Sequence, residues 1–108
     1  MANFFRTTVS KNIGTTPVDL VAGAASRFTI IGCNLANTTD EDAIVDIKVI
    51  DATAVEGYYI KQLVIAPYTS AKVVTNGEKI ILAENCTLRI VSDTTASIDA
   101  VISYAEIV

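Results

Sequence analysis

Three acidic residues in a row, Asp40-Glu41-Asp42, form the densest polar cluster of this 108-residue chain. Hard carboxylate oxygens offered from one loop are what a calcium ion takes. The D-x-D spacing is too short to define a coordination shell. The same residues suit a solvated turn, because Asp side chains bond readily to nearby backbone N–H groups, and the turn is the reading adopted. Cys33 and Cys86 are the two cysteines, and the chain has no histidine. Zinc therefore has no ligand set, since neither an imidazole nor a paired cysteine spacing is available. The lack of histidine also removes the commonest general base at neutral pH. Ser-His-Asp and Cys-His sites go with it. Gly14, Gly23, Gly32, Gly57 and Gly77 are scattered, so there is no phosphate loop and no dinucleotide fingerprint. Nothing fixes two carboxylates across one cleft for hydrolysis. The expectation is a non-enzymatic chain with no catalytic residue, no metal and no cofactor.

Strand parity sets Cys33 beside Ile31 and Leu35, and Cys86 beside Leu88 and Ile90. The preferred reading is two buried free thiols, because disulfides are rare in a cytoplasm. A bridge between two sheets is the alternative. Tyr58-Tyr59 is an adjacent aromatic pair, and adjacent residues on a strand face opposite ways. One of the two is then free to anchor an interface, where tyrosine is enriched. Phe4 and Phe5 pose the same question at the N-terminus. The candidate contact residues are Phe4, Phe5, Arg6, Tyr58, Tyr59 and Tyr68. A carbohydrate- or ion-binding module would rest on the tyrosines and on Asp40-Glu41-Asp42 alone, and the chain has no tryptophan to serve as a sugar platform.

The totals bound these readings. One domain fits the length. Hydrophobic residues make up 51% of the chain, and the mean hydropathy is +0.45. Disorder does not go with such a composition. In a small domain with much surface per volume, the excess of apolar residues points to surface covered by another chain. Eight Lys and Arg face twelve Asp and Glu, for a net charge of −4. The cations are spread singly, so nucleic acid has no basic patch to meet. The longest apolar runs are of strand length, so no membrane span is expected. The start "MANFFRTTVSKN" has no apolar leader core. Without secretion, the sequons at Asn37 and Asn85 are coincidental.

The elements that must carry these residues are strands. Thr, Val and Ile dominate, and helix signals are nearly absent. "IVDIKVID" alternates apolar and charged residues, with Val45, Ile47 and Val49 on one face. Strands are expected at 4–11, 17–21, 27–36, 43–50, 58–66, 71–74, 78–82, 86–91 and 97–107. Asn12-Ile13-Gly14 closes the first, Pro17 marks a sheet edge, Gly32 marks a bulge, and Asn76-Gly77 turns a hairpin. Links this short leave no room for parallel crossovers. The expected fold is all-β: a single antiparallel β-sandwich, jelly-roll or immunoglobulin-like, of about eight strands. Residues 1–16 form an N-terminal arm or edge strand and residues 17–108 the sandwich. Charges are too few to blunt every sheet edge, which again suggests neighbouring subunits.

The succession "NIGTTPVDLV", "RFTIIGCNLANTT", "YYIKQLVIAP", "EKIILAENCTLRIVS" and "SIDAVISYAEI" resembles a group of small virion proteins of tailed bacteriophages. The segments G-x-N-L-A-N, Y-Y-I-K and the final S-Y-x-E-I carry the resemblance. It implies a non-enzymatic sandwich that assembles in many copies on a phage particle. The expected role is capsid decoration, that of a cement protein lying over contacts between major capsid subunits. A neck, tail or baseplate component is the alternative. The expected partners are further copies of the chain and other virion proteins, chiefly the major capsid protein. The expected location is the virion, assembled in the host cytoplasm.

Overall fold

The computed structural model describes residues 3–74 and 79–107. Among these residues there is no helix. The strands are β1 (Asn3–Ile13), β2 (Val18–Val21), β3 (Arg27–Asn37), β4 (Ala43–Ile50), β5 (Glu56–Ile65), β6 (Ser70–Lys72), β7 (Ile80–Leu82), β8 (Thr87–Ser92) and β9 (Ile98–Ile107). One sheet, A, runs β1-β9-β3-β6, with β7 also paired to β3; the other, B, runs β2-β8-β4-β5. Every pairing is antiparallel.

The pairs nest: β1 with β9, β2 with β8, β3 with β6 and β7, β4 with β5. This is one long hairpin rolled up so that successive rungs fall in alternate sheets, which is the jelly roll. An immunoglobulin sandwich pairs several strands consecutive in sequence. Here β4 and β5 are the only such pair among the described strands. Nine short strands fill eight positions, because β6 and β7 share one.

That sharing corrects a sequence expectation. The Asn76-Gly77 turn lies outside the described residues, but the segments on either side of it do not form a hairpin together. β6 pairs with residues 34–36 and β7 with residues 28–30, both antiparallel to β3. They run in the same direction, end to end along one edge. The valines that follow β6, Val73 and Val74, are buried, and the Val73 N–H continues the ladder to the Cys33 carbonyl at 2.9 Å. Pairing with β3 buries this segment against the core, which a solvent-facing hairpin would not do.

Alternation sends one face of each strand inward. Leu35, Ile30, Val45, Ile47, Leu88, Ile90, Ile98 and Ile102 are buried between the sheets. Each such side chain contributes about 1.5–3 kcal/mol on burial. The register of β3 against β9 slips between Ile30 and Gly32, the bulge expected at Gly32. The extra residue shifts the phase of the strand. Ile31 is turned outward and exposed, while Ile30 and Leu35 flank Cys33 on the buried side. The predicted neighbour Ile31 is therefore replaced by Ile30.

β1 extends past the expected stop. Asn12 adopts a φ of 57° at a register slip, and its N–H donates to the Asp99 carboxylate at 3.0 Å. This bulge carries the buried Ile13 into the core. Gly14 then passes so close to the turn before β9 that a Cβ would lie 2.9 Å from the Ala96 nitrogen. Pro17 precedes β2, an edge strand of sheet B.

Candidate interaction surface

The two outer faces of the sandwich differ in kind. On sheet B the residues opposite one another across β2, β8, β4 and β5 are Asp19, Arg89, Lys48 and Tyr58. Arg89 Nε meets Asp19 at 2.7 Å, Lys48 meets Glu56 at 3.5 Å, and Lys61 meets Asp46 at 3.6 Å. The Lys48 and Lys61 ammonium groups lie 5.1 and 4.3 Å from the centroid of the Tyr58 ring. The hydrogen bond to Asp19 raises the Arg89 pKa, and contact with Tyr58 raises that of Lys61. This face is mainly a charge ladder that water suits well, with Tyr58 and Val64 as its exposed large apolar residues. Asp46 also serves the backbone, its carboxylate accepting the Gln62 N–H at 2.7 Å. Gln62 has a φ of 59° at an irregular stretch of the β4–β5 pairing.

On sheet A the outer rows read differently. Phe5, Ala105, Thr29 and Ile81 lie opposite one another across four strands. The next row is Thr7, Ser103 and Gly32, and the one after it is Val9, Val101, Asn34 and Lys72. These three rows hold no charged residue until Lys72 at the margin. Phe5 is 81% exposed and Ile81 74%, with Val9, Ile31 and Val101 also exposed. Five large apolar side chains thus share one open sheet face. The β3 bulge leaves a shallow concavity of about 250 Å³ there, walled by Ile31, Val101, Ser103 and Lys72.

The six contact candidates are divided among several places. Phe4, Phe5 and Arg6 are consecutive on β1. Arg6 pairs with Glu106 at 2.6 Å and its guanidinium lies 5.3 Å from the Phe4 ring centroid. This pairing holds the Glu106 carboxyl below its ordinary pKa. Phe5 points to the opposite side of the strand, into the apolar face. Tyr58 is exposed on the charge ladder, and Tyr59 packs against the core. Tyr68 is exposed in the link from β5 to β6, with a φ of 54°. Sequence reasoning missed Ile81, Val9, Ile31 and Val101. The signal for Ile81 was present in "KIIL", where alternation must leave one isoleucine outside.

The acidic loop is a turn. Asp40, Glu41 and Asp42 are exposed, and no group of three or more metal-ligating side chains occurs among the described residues. The loop is organised from beneath by Asn37, whose side chain is 2% exposed. Both cysteines are free thiols, but only Cys33, on β3, is buried; Cys86 lies in the link before β8 and is partly exposed, against the expectation of two buried thiols. Burial pushes the Cys33 thiol up to about 11.

No family model matches the chain, and no curated protein matches it in sequence. Among solved structures, the chain is similar to a subunit of Bacillus endospore appendages, described as a novel family of disulfide-linked pili. The identity is 12% over 97% of this chain and 87% of that one, with a TM-score of 0.59. It is also similar to part of a chain of infectious bursal disease virus, Gt strain. There the identity is 10% over 97% of this chain and 32% of that one, with a TM-score of 0.51. At such identities the likeness establishes the shared fold. The folds matched come from a pilus and from a virus.

Proposed function

We propose that this chain is a non-enzymatic structural protein of a tailed-phage virion, a capsid decoration protein that lies with the outer face of sheet A on the shell. The single observation that carries this reading is the contrast between the two exteriors. A lone soluble sandwich has no use for five exposed large apolar residues on one face while the other carries a charge ladder. A face with no charge short of its Lys72 margin suits a partner built of many copies, and the charged face is left for water. The phage resemblance of the sequence supports the choice of partner, as does a fold shared with pilus and virus chains. Stabilisation would follow mass action: a protein that binds the assembled shell and not its free subunits shifts assembly toward the shell.

The test uses purified protein and capsids lacking it. Ile81→Lys places a charge on the most exposed apolar residue of the β7 margin of this face and should abolish decoration while the melting temperature holds. Tyr58→Ala, on the charge ladder, should leave decoration intact. Full occupancy by Ile81→Lys would end the proposal. Copy number in the particle separates the places: a number matching the many subunits of a shell supports decoration, and one matching a small closed ring moves the protein to the neck or tail.

A further inference from the structure

Every sheet edge must be paired, covered or blunted, or it will recruit another strand. Three of the four edges here are blunted. β6 and β7 have three residues each, are separated by residues 73–79, and are flanked by Lys72 and Lys79. β2 has four residues, follows Pro17 and slips register between Asp19 and Val21. β5 is broken by register shifts and by Gln62 in the left-handed region. β1 carries such devices only beyond Ser10, at Lys11 and the Asn12 bulge. Its pairing with β9 is unbroken from Asn3 to Ser10, it contains neither Pro nor Gly in that stretch, and no described strand pairs with its other side.

We infer that β1 pairs antiparallel with β1 of a second copy of this chain about a two-fold axis at Thr7, joining two A sheets into one. The inference goes beyond the shell contact and does not need it. Register picks the axis. Opposite residues must share a face, so only pairings of equal parity are allowed. An axis at Arg6 would set Arg6 against its own copy, and like charges directly opposite repel. An axis at Thr8 would set Phe5 against Lys11. The axis at Thr7 sets Phe5 against the partner's Val9, Arg6 against the partner's Thr8, and Thr7 against the partner's Thr7. It also keeps the whole regular stretch in the ladder. The outer row then runs Ala105, Phe5 and, across the seam, the partner's Val9 and the partner's Val101. The apolar face thus continues from one copy into the next. The contact is isologous, so it closes at two copies.

The experiment is sedimentation of the full chain across a dilution series, with cysteine cross-linking in a Cys86→Ser background. The buried Cys33 thiol stays silent. The expected mass is twice the 11.5 kDa of one chain, falling to one on dilution. Thr7→Cys should cross-link to its own copy on mild oxidation. Phe5→Cys alone should not, yet should do so when mixed with Val9→Cys. Thr7→Arg should give a folded monomer of unchanged melting temperature, and Thr7→Ser should keep the dimer. A monomer at every concentration overturns the inference, as does a dimer that cross-links through Phe5→Cys alone or through no β1 position. Ile81→Lys lies at the far margin of the face and should keep the dimer while losing the shell, so the two readings fail separately.

Discussion

The side-chain nitrogen of Asn37, at the end of β3, donates to the Ile65 carbonyl at the end of β5 across a distance of 2.9 Å. One strand belongs to sheet A and the other to sheet B. The same nitrogen reaches the Glu41 carbonyl at 2.7 Å and the Ala66 carbonyl at 3.3 Å. The side-chain oxygen accepts the Thr39 N–H at 2.9 Å and the Thr39 hydroxyl at 2.7 Å. One amide therefore joins both sheets and the acidic turn. It is buried, and every buried side-chain polar atom among the described residues has a partner. A sequon at this position could not accept a glycan without dismantling the joint.

Asn37→Ala should cost about 2–3 kcal/mol, because it leaves buried carbonyls and an N–H without partners. Asn37→Asp should cost more. It removes the donor and sets a carboxylate against the three carbonyls the amide now serves. Urea unfolding measures both. A loss below about 0.5 kcal/mol, the range of a surface change, would show that water replaces the amide without penalty.

The turn from β4 to β5 should weaken in acid. The Asp51 carboxylate accepts the Thr53 hydroxyl at 2.7 Å, the Thr53 N–H at 2.9 Å and the Val55 N–H at 3.0 Å. These bonds, the hydroxyl first, lower its pKa below the ordinary 3.8. A depressed carboxylate adds stability that is present above its unfolded value and lost as pH falls through the folded one. Asp51→Asn should remove that acid dependence. Melting curves taken from neutral pH down through pH 3 test it; equal slopes in the two proteins would rule out the assignment.

Cys33 should report on the core from the alkaline side. Burial raises its thiol from 9.0 to about 11. A raised value means the folded state holds its proton longer than the unfolded chain does. This contribution is intact below pH 9 and is lost as pH rises from about 9 towards 11. Cys33→Ala should flatten that decline, at the cost of a small cavity. In the native protein iodoacetamide should label the partly exposed Cys86 first. Rapid labelling of Cys33 at pH 8 would mean that the sandwich opens far more often than its packing implies.

Much of this architecture was legible because burial is two-sided and strands have a period of two. The inward sets of β4, β8 and β9 follow from alternation in "AIVDIKVI", "TLRIVS" and "IDAVIS". What alternation cannot give is partnership between distant segments. Nothing local in β1 names β9, so alternation left the jelly roll level with the immunoglobulin arrangement, and the open outer face could not be read ahead. Bulges defeat parity as well: one extra residue at Ile31 exchanged the surroundings of Cys33. Asn37 was invisible for another reason. Its partners are backbone atoms of residues 65 and 66, and a backbone carbonyl leaves no mark in a sequence. The contact residues were sought among aromatics, whereas the open face of sheet A is largely aliphatic.

Ile80 and Ile81 make the sharpest comparison the molecule offers, since the two are chemically identical and adjacent. Ile80 is buried in the core and Ile81 is exposed beside Thr29. Ile80→Ala should cost about 2–4 kcal/mol through lost burial and a cavity. Ile81→Lys should change stability by no more than about 0.5 kcal/mol, because its side chain already meets water in the free subunit. If the apolar exterior serves assembly, the costs reverse when binding is measured: Ile80→Ala still decorates once folded, and Ile81→Lys does not. A variant at Ile81 that unfolds the chain would mean that this face packs against the protein itself. A variant that changes neither quantity would leave the exposed row without a purpose in assembly.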